Sequence, residues 1–104
     1  MLNLVTIRKY AKNDQFIISS HARMRMFQRN ILTNEIIDVL LTGDIIEEDP
    51  EDKPCPSALI LGFLENDPYH VVVGQCDDHL RIITVYRPNE KNWIDFRARK
   101  RSGE

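Results

Sequence analysis

The runs ALILGFL at 58–64, HVVVGQC at 70–76 and LRIITVY at 80–86 decide the fold. Each is a short apolar segment rich in β-branched residues. Each is bounded by turn formers: prolines before the first, Asn66-Asp67-Pro68 after it, Asp77-Asp78 after the second and Pro88 after the third. Links this short join antiparallel neighbours. Asp44–Glu48 adds a strand ahead of them. Further upstream the apolar period changes. Leu2–Ala11 reads as a short helix with Leu2, Val5 and Ile7 inward, and Phe16–Ile18 as a brief extended piece. Ser19 or Ser20 caps a helix from His21 to Arg29, and Asn30 ends it. Thr33 caps the next helix, Asn34–Leu41, with Glu35 near its positive end. Ile36, Ile37, Leu40 and Leu41 recur at helical spacing and face inward, and Gly43 stops the helix. Helices first and a meander after define an α+β domain, its N-terminal helices packed on a four-stranded antiparallel sheet. The helices cover one face, leaving the other open as a concave site. The tail, Lys91–Arg101, reads as a short helix or an extended edge.

A chain of 104 residues holds one domain, since a second would lack a core. The several apolar runs exclude a disordered chain, and none approaches the ~20 residues of a membrane span. The start, MLNLVTIRKYAKND, lacks a long apolar run and a small-residue cleavage site, so no signal peptide is expected and cytoplasm is the default. Two cysteines are too few for a disulfide scaffold; Cys76 reads as a small buried hydrophobe, and Cys55 has no partner pattern. Cys76-Asp77-Asp78-His79 falls short of the four ligands a zinc site wants, so no metal and no other cofactor are expected.

The formal charge of −2 hides a pattern. Residues 1–29 hold six basic residues against one acid, residues 30–78 hold one against twelve, and residues 79–104 hold seven against three. If the two ends meet, the fold carries a basic face that attracts phosphate and an acidic face. The run Glu47–Asp52 (EEDPED) reads as a solvated loop.

Three groups of residues suit chemistry. His21, Arg25 and Arg29 stack along one side of their helix, because a four-residue step advances only about 40°. One imidazole and two guanidinium forks suit an anionic phosphate or carboxylate, and a neutral imidazole can serve as general base. The bland alternative is a wet ridge on a helix whose Met24 and Phe27 face the core. His70 opens the HVVV strand. A loop of two or four residues at Asp77-Asp78 puts His70, Val72, Arg81, Ile83, Val85 and Arg87 on one face and Thr84 and Tyr86 on the other. An odd loop or a bulge at Gly74 reverses this. The bland reading of His70 is a strand-end histidine bonded to backbone. Finally, Thr84, Tyr86, Arg87 and Trp93 together could seat a nucleotide, arginine on phosphate and a ring on a base; Trp93 alone reads first as a large apolar body.

These residues carry a resemblance. S-x-H-A-x-x-R-M-x-x-R-N-I (Ser19–Ile31), T-x-E-I-I-x-V-L-x-x-G-x-I-I-E (Thr33–Glu47), H-V-V-V (His70–Val73) and T-V-Y-x-P with a following tryptophan (Thr84–Trp93) resemble a small bacterial family filed as a domain of unknown function. That family looks like the toxin half of a toxin–antitoxin pair beside a YgiT-type zinc-finger antitoxin. It is similar in layout to the RelE, MqsR and BrnT messenger-RNA endoribonucleases. The resemblance spans residues 16–97 and implies a RelE-like domain that cleaves RNA without a metal by 2′-hydroxyl attack. It implies His21 or His70 as base and the other, or Tyr86, as acid. Arg25, Arg29 and Arg87 would hold the phosphate, Trp93 or Tyr69 would stack a base, and Thr84 would line the site. The competing expectation is a non-catalytic module, or an inactive relative, whose acidic segment Asp44–Asp52 docks a basic protein partner such as an antitoxin tail. This assignment requires His21, His70 and at least one arginine within about one phosphate's reach of each other, and it fails if the two histidines stand on opposite sides of the sheet.

Overall fold

The computed structural model describes residues 2–100. Helix α1 (Leu4–Lys12) starts at Asn3, whose Oδ1 accepts from the amides of Val5 and Thr6 at 2.8 and 3.2 Å. It buries Ile7 and Ala11 and leaves Val5 in solvent, against the expectation for Val5. Strand β1 (Phe16–Ile18) leads into α2 (Ser20–Arg29). Ser19 caps α2, its Oγ accepting from Ala22 N–H at 3.0 Å, and Asn30 closes it in the left-handed region at φ 54°. Helix α3 (Thr33–Thr42) has Leu32, not Thr33, at its N-cap. A leucine side chain cannot accept a hydrogen bond; the Glu35 carboxylate accepts from the Leu32 amide at 2.8 Å instead.

Strands β2 (Asp44–Asp49), β3 (Ser57–Leu64), β4 (Asp67–Gln75) and β5 (Leu80–Tyr86) follow, then a small hairpin of β6 (Trp93–Ile94) and β7 (Ala98–Arg99). The sheet is five-stranded and mixed, in the order β1-β5-β4-β3-β2. This corrects the four-stranded antiparallel expectation: Phe16–Ile18 pairs parallel with Leu80–Ile82. It satisfies the backbone groups that would otherwise line a bare β5 edge. The acidic run is also corrected, because Glu47, Glu48 and Asp49 end β2 rather than form a loop. The tail is a hairpin, not a helix, and Arg101 lies outside the described residues.

The helices cover one face. Ile7, Ile36, Val39 and Leu40 meet Val71, Val73, Leu80, Ile82 and Val85 there, forming the core. Gly43 turns α3 into β2 with no room to spare: a Cβ would sit 2.5 Å from the Leu61 carbonyl oxygen. No helix among the described residues is long and apolar enough to cross a membrane.

One extra residue in β5 sets the rest of the geometry. The Asp77-Asp78 turn is tight, with Cys76 N–H donating to the His79 carbonyl at 2.9 Å and Gln75 opposite Leu80. Val73 then faces Ile82 while Val72 faces Thr84, so Ile83 bulges out of the ladder. The bulge carbonyl is not wasted, since Ser19 Oγ donates to it at 3.0 Å. The slip reverses the expected faces. His70 pairs with Tyr86, so His70, Val72, Thr84 and Tyr86 share the side away from the helices. Val85 and Arg87 join Tyr69 on the helix side.

The two cysteines are joined. Cys55 and Cys76 form a disulfide with Cα atoms 5.2 Å apart, which corrects the reading of Cys76 as a free buried hydrophobe and of Cys55 as partnerless. The pair continues the β3–β4 register in which Ser57 faces Gly74.

Candidate functional site: the basic helix and the strapped sheet face

On the helix side, α2 presents His21 and Arg29 to solvent, with Arg25 half-buried between them and donating to Gln28 Oε1 at 3.1 Å. At about 1.5 Å rise per residue, His21 and Arg29 stand roughly 12 Å apart along the axis. Arg87 arrives from the end of β5. It donates to the Arg29 carbonyl oxygen at 2.8 Å and to the Tyr69 hydroxyl at 3.2 Å, and its guanidinium lies 4.9 Å from the Tyr69 ring centre. The Tyr69 hydroxyl in turn meets Glu35 Oε2 at 3.1 Å. Tyr69 itself is buried, so it offers no ring to a base. The structure therefore gathers Arg29 and Arg87 at one end of α2, in line with Arg25 and His21. The sequence of α2, SHARMRMFQR, contains no acid to neutralise its arginines.

The other sheet face is built differently. His70 is 0% exposed. Its Nε2 lies 2.7 Å from the Phe96 carbonyl oxygen, which only accepts, so the proton sits on Nε2. Nδ1 is then the acceptor for the Tyr86 hydroxyl at 3.2 Å. Trp93 packs edge-on against the ring, centres 4.4 Å apart. Arg99 lies 4.7 Å from the Trp93 ring centre and grips Glu47 of β2 with two bonds of 2.8 and 3.1 Å. Arg97 reaches Asp44 at 3.7 Å. The β6–β7 hairpin is thus strapped across the face that was expected to stand open.

The expected catalytic pair is consequently split. His21, Arg25, Arg29 and Arg87 belong to the helix side; His70, Thr84, Tyr86 and Trp93 belong to the strapped side. His21 and His70 therefore stand on opposite sides of the sheet. The basic ends of the chain do not merge into one face either, because Arg97 and Arg99 are paired with β2 acids. Reasoning from sequence missed Arg99, Glu47 and Phe96 as the partners of this face. Arg97 and Arg99 alternate in the tail, but Asp44 and Glu47 are three residues apart and reach one face only through the bulge between Ile45 and Glu47, so the pairing had no sequence signal.

Burial holds the His70 imidazole below the ordinary histidine range, although its bond to Phe96 opposes this, and burial pushes the Tyr86 hydroxyl up. The unfolded chain therefore binds a proton at His70 that the folded chain refuses. The stability this contributes is full above the unfolded value of about 6.5 and falls as pH drops toward the folded one. Urea midpoints measured from pH 8 down to pH 5 should decline, and His70→Leu should flatten that decline. An equally steep decline in the variant would assign it to other groups.

Among the described residues no three His, Cys, Asp or Glu side chains gather to hold a metal ion. His79 instead meets Asp78 at 2.7 Å on the exposed turn. The molecule is an α+β domain with an acid-free basic helix on one side and a strapped sheet on the other. Its residues 18–87 match the family described as Domain of unknown function (DUF4258), and the chain belongs to that family. Neither the curated proteins nor the solved structures give a match.

Proposed function

We propose that this chain is a RelE-like, toxin-type endoribonuclease that engages RNA through α2 and cleaves it without a metal. The observation that carries the reading is the row of His21, Arg25 and Arg29 on an acid-free helix, extended by Arg87 at its end. Such a row neutralises successive phosphates and releases their counterions. In this chemistry the ribose 2′-oxygen attacks the adjacent phosphorus and the bond to the 5′-oxygen breaks, leaving a cyclic phosphate and a free hydroxyl. His21 would take the 2′ proton, being the imidazole on this surface among the described residues, and water would supply the proton that the departing 5′-oxygen takes up. Arg25, Arg29 and Arg87 would hold the charge that builds on the phosphate. His70, Tyr86, Thr84 and Trp93 would serve the fold rather than the reaction. In this reading the cellular partner is an antitoxin, such as a YgiT-type zinc-finger protein, and the site of action is cytoplasmic RNA.

A second reading rests on the burial of His70: a non-catalytic module that docks a basic protein segment. Its acidic side offers a hollow of about 240 Å³ lined by Glu48, Asp49, Asp52 and the Glu47–Arg99 pair.

Labelled single-stranded RNA separates the two. Arg25→Ala with Arg29→Ala should weaken binding at least about tenfold and lower the salt slope by roughly two. His21→Ala should bind RNA as the wild type does and lose cleavage. RNA left unbound while a lysine-rich peptide binds the acidic side would favour the second reading. Absence of RNA binding at low salt would end the first.

A further inference from the structure

The outward crest of α2 is apolar. Met24 is 57% and Phe27 88% exposed, and Leu32, just past the helix end, is 61% exposed. The sequence suggested the reverse, with Met24 and Phe27 in the core; instead Ala22 is buried and Met26 packs against the core. Met24 and Phe27 are three residues apart and share a face of the helix. Arg23, four residues before Phe27, stands beside them, while Arg25 and Arg29 turn away on the His21 ridge. We propose that this crest docks a segment of a partner protein that is itself apolar on one side and acidic around it.

The composition of the helix selects the occupant. Apolar side chains this exposed gain by burial against other apolar groups. Arg23 beside them favours an acidic neighbour, and α2 itself supplies none. A second copy docked crest to crest would set arginine against arginine. It would place like charges at the rim, where interfaces place opposite ones. Single-stranded RNA would find phosphate contacts here, but Met24 and Leu32 have no ring face for a base, so Phe27 alone could stack one. An acidic amphipathic helix answers both demands at once: leucine-type side chains on Met24 and Phe27, and carboxylates on Arg23. The crest is separate from the His21 ridge, and the proposal does not depend on RNA cleavage.

The probe is a labelled helical peptide of about 18 residues, long enough to hold its helix. Leucines occupy one face and glutamates the rest; a control carries lysine for every glutamate. Binding is read by fluorescence anisotropy against the wild type, Phe27→Ser, Met24→Ser with Phe27→Ser, and Arg23→Glu. These side chains touch solvent, so the variants should fold, and circular dichroism checks that they do. The glutamate peptide should bind the wild type saturably, with affinity falling about tenfold or more in Phe27→Ser and in Arg23→Glu. The lysine peptide should not bind. Equal binding by all variants, or no saturable binding by the wild type, would overturn the proposal. So would concentration-dependent self-association that Phe27→Ser abolishes, which would assign the crest to a second copy. Oligonucleotide binding that Phe27→Ser abolishes while the peptide fails to bind would assign it to RNA.

Discussion

Replacing His70 by alanine is expected to cost about 3 kcal/mol or more, whereas His21→Ala should change stability by less than roughly 0.5 kcal/mol. The contrast follows from where the two rings sit. His70 has no exposure and holds three elements together: its own strand, Tyr86 of β5 and the hairpin through Phe96 and Trp93. Alanine leaves a void where the ring was. It also strands the Phe96 carbonyl and the Tyr86 hydroxyl, each costing about 1–3 kcal/mol where water cannot reach it. The costs do not simply add, because a loosened hairpin admits water to both groups. His21 is in solvent on the first turn of α2, where truncation removes little packing. Urea midpoints measure the difference, and hydrogen exchange should show residues 93–99 losing protection in His70→Ala before the rest of the sheet does. If His70→Ala kept wild-type stability and lost RNA cleavage, His70 would return to the chemistry and the assignment to His21 would fail.

The strand cores were legible in sequence because turn residues bracket them and the Asp77-Asp78 turn is as short as it looks. Ser19 and Asn30 announced the ends of α2 by their own side chains. What stayed hidden depends on single residues in three dimensions. The bulge at Ile83 flips His70 relative to Arg87, and the carbonyl it frees is taken by Ser19 from another element. No local pattern announces it. A strand of three residues such as β1 carries too little periodicity to declare itself. In α2, Ala22, Met24, Met26 and Phe27 offer two apolar stripes, and size does not choose the larger. The small Ala22 lets the helix lie close to β5, and that leaves Phe27 outside. The arginine ridge was readable from four-residue spacing. Its separation from His70 was not, since that rests on the parity of one strand.

Removing the Cys55–Cys76 bond, by reduction or by Cys55→Ser with Cys76→Ser, is expected to cost about 3 kcal/mol. The bridge closes a loop between residues 21 apart in sequence, and the loop-closure entropy it removes from the unfolded chain is of that size. The native side costs little, because β3 and β4 already bring the two positions opposite each other. Gln75 N–H donates to the Pro56 carbonyl at 2.8 Å between them, so the backbone is held whether or not sulfur is bonded. Reduction should therefore lower the unfolding midpoint without changing the folded structure. The wild type in dithiothreitol and the double serine variant should unfold together, and dithiothreitol should leave the variant unmoved. The bridge sits at the far end of β5 from Arg87, roughly 20 Å away at the strand's rise per residue. RNA binding through α2 should accordingly survive reduction. Intact mass decides whether the bond is present in the purified protein, since a disulfide leaves the chain about 2 Da lighter than the dithiol. Free thiols in an unreduced preparation, with a midpoint indifferent to dithiothreitol, would refute the bridge and return both cysteines to the role of small half-buried side chains.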